Sequence, residues 1–270
     1  MPRYLRGQND RLELTDRGLA YGDGLFETMA LRDGRIRLLE LHLQRLAEGC
    51  ARLQIPAPDQ TELRAQLAAS AAECRNGTLK LILTRGSGPR GYAPPESPEP
   101  TLILSVHSRA DVPGSRRSEV DAVTLRLRLG ENPELAGIKH LCRLEQVMAQ
   151  LELKQRRADE GLLLSMSGKV VGGTSSNLFA VFGRQIRTPL IADAGIRGVM
   201  RRAVLDACVG GGLRAAEVDL SRDELLAADE VFLTNALIGI RSVASLDGQV
   251  FPERGTSLHL RRLLGLDEHG

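Results

Sequence analysis

The 270-residue sequence predicts an α+β protein with two domains, and three observations support this prediction. The hydrophobic fraction of 42% is enough to bury a core in two modest domains. The charged, proline- and glycine-containing stretch around residues 109–118 is typical of a linker. Short apolar segments dominate the chain after it. We therefore predict a small N-terminal α/β sandwich over 1–110, a linker over 111–119 and a larger β-rich C-terminal domain over 120–270.

The N-terminal half begins with a glycine-rich polar stretch, Asp16 to Thr28. The segment Arg32-Asp33-Gly34-Arg35 follows, and its Asp-Gly pair is typical of a hairpin turn. Apolar periodicity then predicts two helices and two strands, over 39–53, about 60–74, 78–84 and 101–106. Residues 85–100, between the strands, are rich in glycine and proline and long enough for a functional loop.

The C-terminal half shows one long helix and many short strands. The helix is expected over about 140–158, and its buried face is predicted to carry Leu141, Leu144, Met148 and Leu151. Predicted strands cover 122–128, 162–166, 169–171, 178–182, 214–218, 230–235 and 240–251, and shorter helices cover about 198–209 and 221–227.

Composition excludes several classes of protein. The 36 basic and 34 acidic residues nearly cancel, and arginine is spread along the chain, so we expect no nucleic-acid partner. No apolar run approaches the length of a membrane span, and no secretory signal pattern is present. The four cysteines are far apart and the histidines lack metal-ligand spacing. The sequence therefore predicts a cytoplasmic protein with free thiols and no metal site.

The segment Gly86 to Gly91 matches G-x-G-x-x-G after a predicted strand. A dinucleotide site needs a helix to begin there, and Tyr92-Ala93-Pro94-Pro95 opposes one. Two interpretations remain open. Arg85 and Arg90 could bind substrate carboxylates by paired hydrogen bonds, or this could be a surface loop with solvated arginines.

Lysine is rare in this chain, with four lysines against 32 arginines. Lys80 alternates within a strand and is interpreted as solvent-facing or structural, Lys154 lies on a charged helix face, and Lys169 lies in a tight turn. Lys139 follows the apolar-flanked segment 136–138, where desolvation would favour the neutral amine that forms an imine with an aldehyde. Lys139 is thus the candidate for covalent chemistry, with a structural role as the alternative.

The segment Gly137 to Leu141, with Arg143 to Val147 after it, resembles the lysine segment of fold-type IV pyridoxal-phosphate enzymes. Other segments agree with this family in order and spacing: Asp16 to Thr28, His42 to Leu46, Thr84 to Tyr92, Ser176 to Phe179, Gly195 to Arg201 and Thr234 to Leu237. Within the family, the Lys139 helix and the 84–92 loop are most similar to the aminodeoxychorismate lyases.

The resemblance implies a fold-type IV architecture, pyridoxal 5'-phosphate as cofactor, and a homodimer acting on a small molecule. Lys139 would hold the cofactor as an imine and then move protons. The other implied cofactor-binding residues are Arg45, Asn177, Gly198, Val199, Met200 and Thr234. Of these, Arg45, Thr234 and the helix start at 198–200 would bind the phosphate. The implied substrate-binding residues are Thr28, Arg85, Arg90, Tyr92 and Asn235. If the family resemblance is set aside, Arg45 is interpreted as an arginine on a helix surface and Thr234 as a threonine within a strand.

The sequence departs from the family at two positions. Gly172 stands where a glutamate usually keeps the pyridine nitrogen protonated, and Cys142 stands where the lyases often have asparagine. Either another group pairs with the ring, or the enzyme works with a weaker electron sink, or activity has been lost.

The implied reaction converts 4-amino-4-deoxychorismate to 4-aminobenzoate and pyruvate, a step in folate biosynthesis. Aromatisation of the product ring supplies much of its driving force, so this reaction tolerates a weakened sink better than transamination does. The alternatives are an aminotransferase acting on branched-chain or D-amino acids, and a weakly active or inactive relative.

Overall fold

A computed structural model describes residues 3–5, 10–108 and 119–266. The chain forms two compact units, Met1–Ser115 with Ile138–Cys142, and Arg116–Gly137 with Arg143–Gly270. The predicted linker lies outside the described residues except for Glu119, which begins a strand. The segment Ile138–Cys142, which contains Lys139, was assigned by sequence to the C-terminal domain but belongs to the first unit.

The first unit contains a five-stranded sheet with the order β1-β5-β4-β2-β3. Its strands are β1 (Arg3–Leu5), β2 (Gly24–Arg32), β3 (Arg35–Ile36), β4 (Gly77–Thr84) and β5 (Thr101–Ser108), and its helices are α1 (Arg17–Tyr21), α2 (Leu39–Leu53) and α3 (Gln60–Ala72). The predicted hairpin is confirmed, since Arg32 pairs with Arg35. Asp33 and Gly34 both have positive φ, as a type I′ turn requires.

The two faces of this sheet differ in character. Alternate residues of β2 and β4, among them Met29 and Leu81, are buried in one core with helix residues such as Leu43. Because strand side chains alternate, Phe26, Thr28 and Lys80 lie on the opposite face. That half-buried face, the polar face, carries Thr28 and Lys80, whereas Glu27 lies on the buried face with Met29.

The second unit contains a nine-stranded mixed sheet with the order β11-β10-β9-β12-β13-β6-β7-β8, and β14 pairs with β13. Its strands are β6 (Glu119–Leu129), β7 (Glu160–Ser165), β8 (Val170–Gly173), β9 (Asn177–Phe182), β10 (Gln185–Pro189), β11 (Arg214–Val218), β12 (Glu230–Asn235), β13 (Gly239–Leu246) and β14 (Gln249–Val250). Its helices are α4 (Leu144–Arg156), α5 (Val199–Gly210), α6 (Arg222–Leu226) and α7 (Gly255–Leu263). The predicted α+β class is confirmed.

Helix α4 differs from its prediction in length and in orientation. It begins at Leu144 and ends at Arg156, and it buries Ala149 and Leu153. Leu144, Met148 and Leu151 are 80%, 55% and 53% exposed, so the predicted buried face was wrong. Helical spacing identifies an apolar stripe but not what covers it.

Two other differences are smaller. The single strand predicted over 240–251 is broken by a turn at Asp247 and Gly248, which separates β13 from β14. Strands β1 and β10 and helices α1 and α7 were not predicted. No helix within the described ranges has the length and apolar character needed to cross a membrane.

Candidate active site

Lys139 is held against the start of β2 by backbone hydrogen bonds. Its carbonyl accepts from the Phe26 N–H at 3.0 Å, and the Leu141 N–H donates to the Gly24 carbonyl at 3.0 Å. The Lys139 Nζ lies 4.1 Å from the centroid of the Phe26 ring. This contact places the amine on the polar face of the sheet, over an aromatic surface that attracts cations.

Lys80 lies beside the same ring. This contact was not predicted from the sequence. Its Nζ is 5.8 Å from the Phe26 centroid, and its backbone pairs with Thr28. The alternation of β4 predicts which residues share its face, but not which side chains of β2 they meet. The remaining lysines differ, because Lys154 is exposed and Lys169 is ion-paired to Asp219 at 2.8 Å.

Arg45, the predicted phosphate ligand, is oriented by a buried carboxylate. Its Nε and Nη2 donate to Glu27 Oε1 and Oε2 at 2.8 and 2.5 Å, and His42 Nδ1 lies 2.6 Å from Oε2. Burial opposes ionisation of Glu27, but the charge of Arg45 and the hydrogen bonds from His42 and Arg45 lower its pKa to about 2. Glu27 and His42 were not predicted as site residues, although both lie in segments that resemble the family.

In the second unit, Asn177, Thr234 and the start of α5 come together. Asn177 and Thr234 are paired across β9 and β12. The Asn177 amide donates to the Ile196 carbonyl at 2.8 Å and accepts from the Gly198 N–H at 3.1 Å. Asn177 therefore positions the loop before α5, and the Gly198 N–H already has a partner.

The same region offers hydrogen-bond donors for which the described part of the chain shows no acceptor. Helix α5 has no side-chain cap, so the N–H groups of Val199 and Met200 have no partner within the helix. The Thr234 hydroxyl is buried and makes no hydrogen bond to any described residue. A buried hydroxyl without a partner is costly, and an anion at the start of α5 would satisfy it. These groups fit a phosphate.

Arg85 holds the loop after β4 in place through hydrogen bonds within the first unit. Arg85 donates to both carboxylate oxygens of Asp23 at 2.8 and 3.0 Å, and to the Leu53 and Gln54 carbonyls at 2.8 Å each. Burial opposes ionisation of Asp23, but its hydrogen bonds with Arg85 and Arg17 hold its pKa below the usual value. The guanidinium of Arg85 is therefore engaged within the fold, and its proposed substrate contact gains no support from this geometry.

Arg17 was not predicted, and it holds the tip of the same loop. It donates to the carbonyls of Gly91, Tyr92 and Ala93 at 3.0, 2.8 and 3.1 Å. Arg90 is exposed, and Tyr92 is 86% exposed. The loop is thus a preformed platform from which Arg90 and Tyr92 project, while Arg85 anchors it.

The remaining predicted substrate ligands differ in their surroundings. Thr28 lies on the polar face of β2, paired with Lys80. Asn235 accepts from the N–H groups of Leu237 and Ile238 at 3.0 and 2.9 Å, and it donates to the Ser175 carbonyl at 3.2 Å. Asn235 thus closes the turn between β12 and β13.

The profile of the amino-transferase class IV family matches residues 24–246. The chain belongs to the amino-transferase class IV family. Enzymes of this family depend on pyridoxal 5'-phosphate.

Three class IV relatives show where the chain lies in the family. The crystal structure of 4-amino-4-deoxychorismate lyase from Pseudomonas aeruginosa is 46% identical, covers 97% of both chains and has a TM-score of 0.90. The aminodeoxychorismate lyase of Vibrio harveyi is 32% identical over 86% of each chain. A hypothetical aminotransferase from Mycobacterium tuberculosis, in its PLP-bound form, is 25% identical, covers 97% of this chain and 94% of that one, and has a TM-score of 0.83. The predicted fold and family are confirmed.

Gly172, where the sequence is expected to depart from the class IV pattern, pairs with Leu163 across β7 and β8. A Cβ at Gly172 would lie 2.7 Å from the Ser176 carbonyl oxygen, so a larger residue requires a backbone shift. The nearby carboxylate of Glu160 is engaged by the backbone N–H of Thr174 at 3.0 Å and by the Ser176 hydroxyl at 3.1 Å.

Cys142, the second departure, is exposed and lies 3.6 and 3.8 Å from the carbonyls of Tyr21 and Gly22. No group of histidine, cysteine and carboxylate side chains suited to a metal ion occurs in the described part of the chain.

Proposed function

We propose that this class IV enzyme is an aminodeoxychorismate lyase, which converts 4-amino-4-deoxychorismate to 4-aminobenzoate and pyruvate in folate biosynthesis. One observation carries the proposal, the 46% identity and TM-score of 0.90 to the Pseudomonas aeruginosa lyase over 97% of both chains. The aminotransferase from Mycobacterium tuberculosis is less similar, at 25% identity.

The proposed chemistry assigns two tasks to Lys139. When bound, pyridoxal phosphate supplies an electron sink conjugated to the substrate amine. Lys139 Nζ would hold the cofactor covalently. As a free amine, the same Nζ would remove the proton from the ring carbon that bears the substrate amine; the ether C–O bond to the side chain would break as the ring becomes aromatic, and the enol released would take up a proton to give pyruvate.

The phosphate would be held by Thr234, by the N–H groups of Val199 and Met200, and by Arg45. Asn177 and Gly198 contribute by positioning, since their mutual hydrogen bond fixes the entry to α5. A Cβ at residue 198 would lie 2.1 Å from Asn177 Oδ1, which explains the need for glycine there.

The substrate carries two carboxylates, and the first unit presents cations for them. Lys80 shares its face with Lys139 and Thr28, and Arg90 and Tyr92 project from the loop that Arg17 holds. We assign carboxylate recognition to Lys80 and Arg90, and we place Thr28 and Tyr92 in contact with the substrate. Charge complementarity of this kind favours dianionic substrates over neutral amino acids.

The proposal includes a cytoplasmic homodimer. Helix α4 exposes four apolar side chains at helical spacing, those of Leu144, Val147, Met148 and Leu151. Such a stripe favours burial against a second apolar surface. The free thiols of all four cysteines suit a reducing compartment.

The deciding experiment incubates the purified protein with pyridoxal phosphate and 4-amino-4-deoxychorismate. We expect stoichiometric 4-aminobenzoate and pyruvate. The aminotransferase alternative predicts instead that an amino acid converts the bound cofactor to its pyridoxamine form without 4-aminobenzoate. Cofactor absorbance with no product from any amine would favour an inactive relative and contradict the proposal.

A further inference from the structure

Gln146 carries a buried hydrogen-bond acceptor that is unused within the described structure. It lies in the first turn of α4, and its Oε1 has no partner among the described residues. Leaving such an acceptor unpaired is unfavourable, so the site favours a ligand that can pair with the amide. The Gln146 carboxamide can either donate or accept there, because a half-turn of the amide exchanges Oε1 and Nε2.

The face of α4 that carries Gln146 packs over β6 and β7, and it reaches the residue that follows β8. Gln150, one helical turn later on the same face, donates from Nε2 to the Thr174 hydroxyl at 2.7 Å. Between them, Ala149 is fully buried in a cluster with Leu163 and Val171. The absent side chain at Gly172 would project to this same face, because Gly172 pairs with Leu163.

The direction of α4 places Gln146 level with Gly172. Near the start of α4, Glu145 accepts from the Gly130 N–H at 2.7 Å, and further along Glu152 accepts from the Arg126 N–H at 2.9 Å. Helix α4 therefore runs antiparallel to β6. Since β6 is parallel to β7 and β7 antiparallel to β8, α4 runs parallel to β8.

One helical turn spans about 5.4 Å, which is roughly the length of two strand residues. Gln146 lies one turn before Gln150, which contacts Thr174. Gln146 therefore lies at the level of Gly172, two residues before Thr174.

We propose that the Gln146 carboxamide is the polar partner of the pyridine nitrogen of the bound cofactor, in place of the carboxylate that Gly172 lacks. With the amide turned so that Nε2 takes the buried position, Gln146 donates a hydrogen bond to the ring nitrogen but forms no ion pair with it, so the nitrogen stays largely unprotonated. This inference rests on the cofactor binding of the proposed function but not on lyase turnover.

The other nearby carboxylate does not serve this purpose. Glu160 lies on the Gly173 side of the strand, where its Oε2 would be 3.1 Å from a Cβ at Gly173, and it already binds Thr174 and Ser176. Neighbouring strand residues point to opposite faces, so Glu160 is turned away from the face of Gly172 and Gln146.

The test uses the holoenzyme loaded with cofactor that is labelled with ¹⁵N in the pyridine ring. The ¹⁵N chemical shift reports protonation and hydrogen bonding of that nitrogen, and cofactor affinity is measured alongside. Wild type should give the shift of an unprotonated, hydrogen-bonded nitrogen. Gln146→Glu should move the resonance toward the protonated position, and Gln146→Leu should shift it toward a free nitrogen while weakening cofactor affinity about fivefold.

Gln150→Leu is the matched control, because it removes an amide from the same helix face one turn away. It should leave the ¹⁵N resonance in place. The proposal is overturned if wild type already shows a protonated nitrogen, or if both Gln146 variants keep the wild-type resonance. Because these readouts need no turnover, they are independent of whether 4-aminobenzoate is formed.

Discussion

Arg45 and Glu27 form a two-point ion pair, with Nε and Nη2 of the arginine donating to separate oxygens of a carboxylate that is only 1% exposed. This pair orients the guanidinium before any anion binds, so less side-chain conformational entropy is lost when the phosphate binds. Glu27→Gln should therefore weaken cofactor affinity although Glu27 does not itself touch the cofactor. Arg45→Ala should weaken it more. Unchanged dissociation constants for both variants would refute this role.

The same pair predicts a pH dependence of stability. The pKa of Glu27 is lowered from 4.5 to about 2, so its contribution to the free energy of unfolding is present above pH 4.5 and is lost as the pH falls toward 2. The shift corresponds to about 3 kcal/mol. Because other carboxylates, such as Asp23, also lose stability on acidification, urea unfolding at pH 7 and pH 3 should show a loss about 2 kcal/mol larger in wild type than in Glu27→Gln. An identical loss in both proteins would contradict the assignment.

Thr234→Val should stabilise the apoprotein but weaken cofactor binding. Removing a buried, unpartnered hydroxyl should raise the free energy of unfolding of the apoprotein by about 1 kcal/mol, whereas cofactor affinity should fall several-fold. Thr188→Val is the matched control, because the buried Thr188 hydroxyl donates to the Leu178 carbonyl at 2.8 Å. That control should destabilise the apoprotein. Loss of apoprotein stability in Thr234→Val would show that its hydroxyl has a structural partner.

Gly172→Glu should restore a carboxylate near the ring at a steric cost. The contact with the Ser176 carbonyl predicts a loss of about 1–3 kcal/mol in stability, which Gly172→Ala should share. Where cofactor binding survives, transaminase side activity should rise more than lyase activity, because transamination depends more on a strong electron sink. Equal increases in both activities would refute the aromatisation argument. Lyase activity that appears only in Gly172→Glu would establish that wild type is an inactive relative.

The apolar stripe of α4 predicts the oligomeric state. Replacing Met148 and Leu151 together by lysine should convert a dimer into a monomer, as measured by light scattering at micromolar concentration. Val209→Lys is the control, since Val209 is 82% exposed but lies on α5 outside the stripe. A monomeric wild type with full activity, or a double variant that remains dimeric, would contradict the proposed interface.

Local patterns predicted local structure well. Helix α2 follows the predicted bounds, and the turn at Asp33 and Gly34 was identified from its Asp-Gly pair, because periodicity and turn chemistry are properties of neighbouring residues. The resemblance identified the segments that contain Glu27 and His42, but not that these side chains would hold Arg45.

Contacts between residues far apart in sequence were not predicted. Arg85 was expected either to bind a substrate carboxylate or to be solvated on a surface loop, whereas it donates to Asp23 and to two carbonyls at the end of α2. Lys80 was set aside because the strand register that brings it to Phe26 is not visible in sequence. The α4 stripe was taken as core because periodicity identifies an apolar stripe but not whether the rest of the chain covers it.

We propose that Lys139 carries the cofactor. Lys80 is the alternative attachment site, because both amines lie over the Phe26 ring. The most direct measurement reduces the holoenzyme with borohydride and maps the labelled peptide by mass spectrometry. We predict label on Lys139, and no label in a Lys139→Ala variant. Label on Lys80, Lys154 or Lys169 in the wild-type protein would contradict the claim.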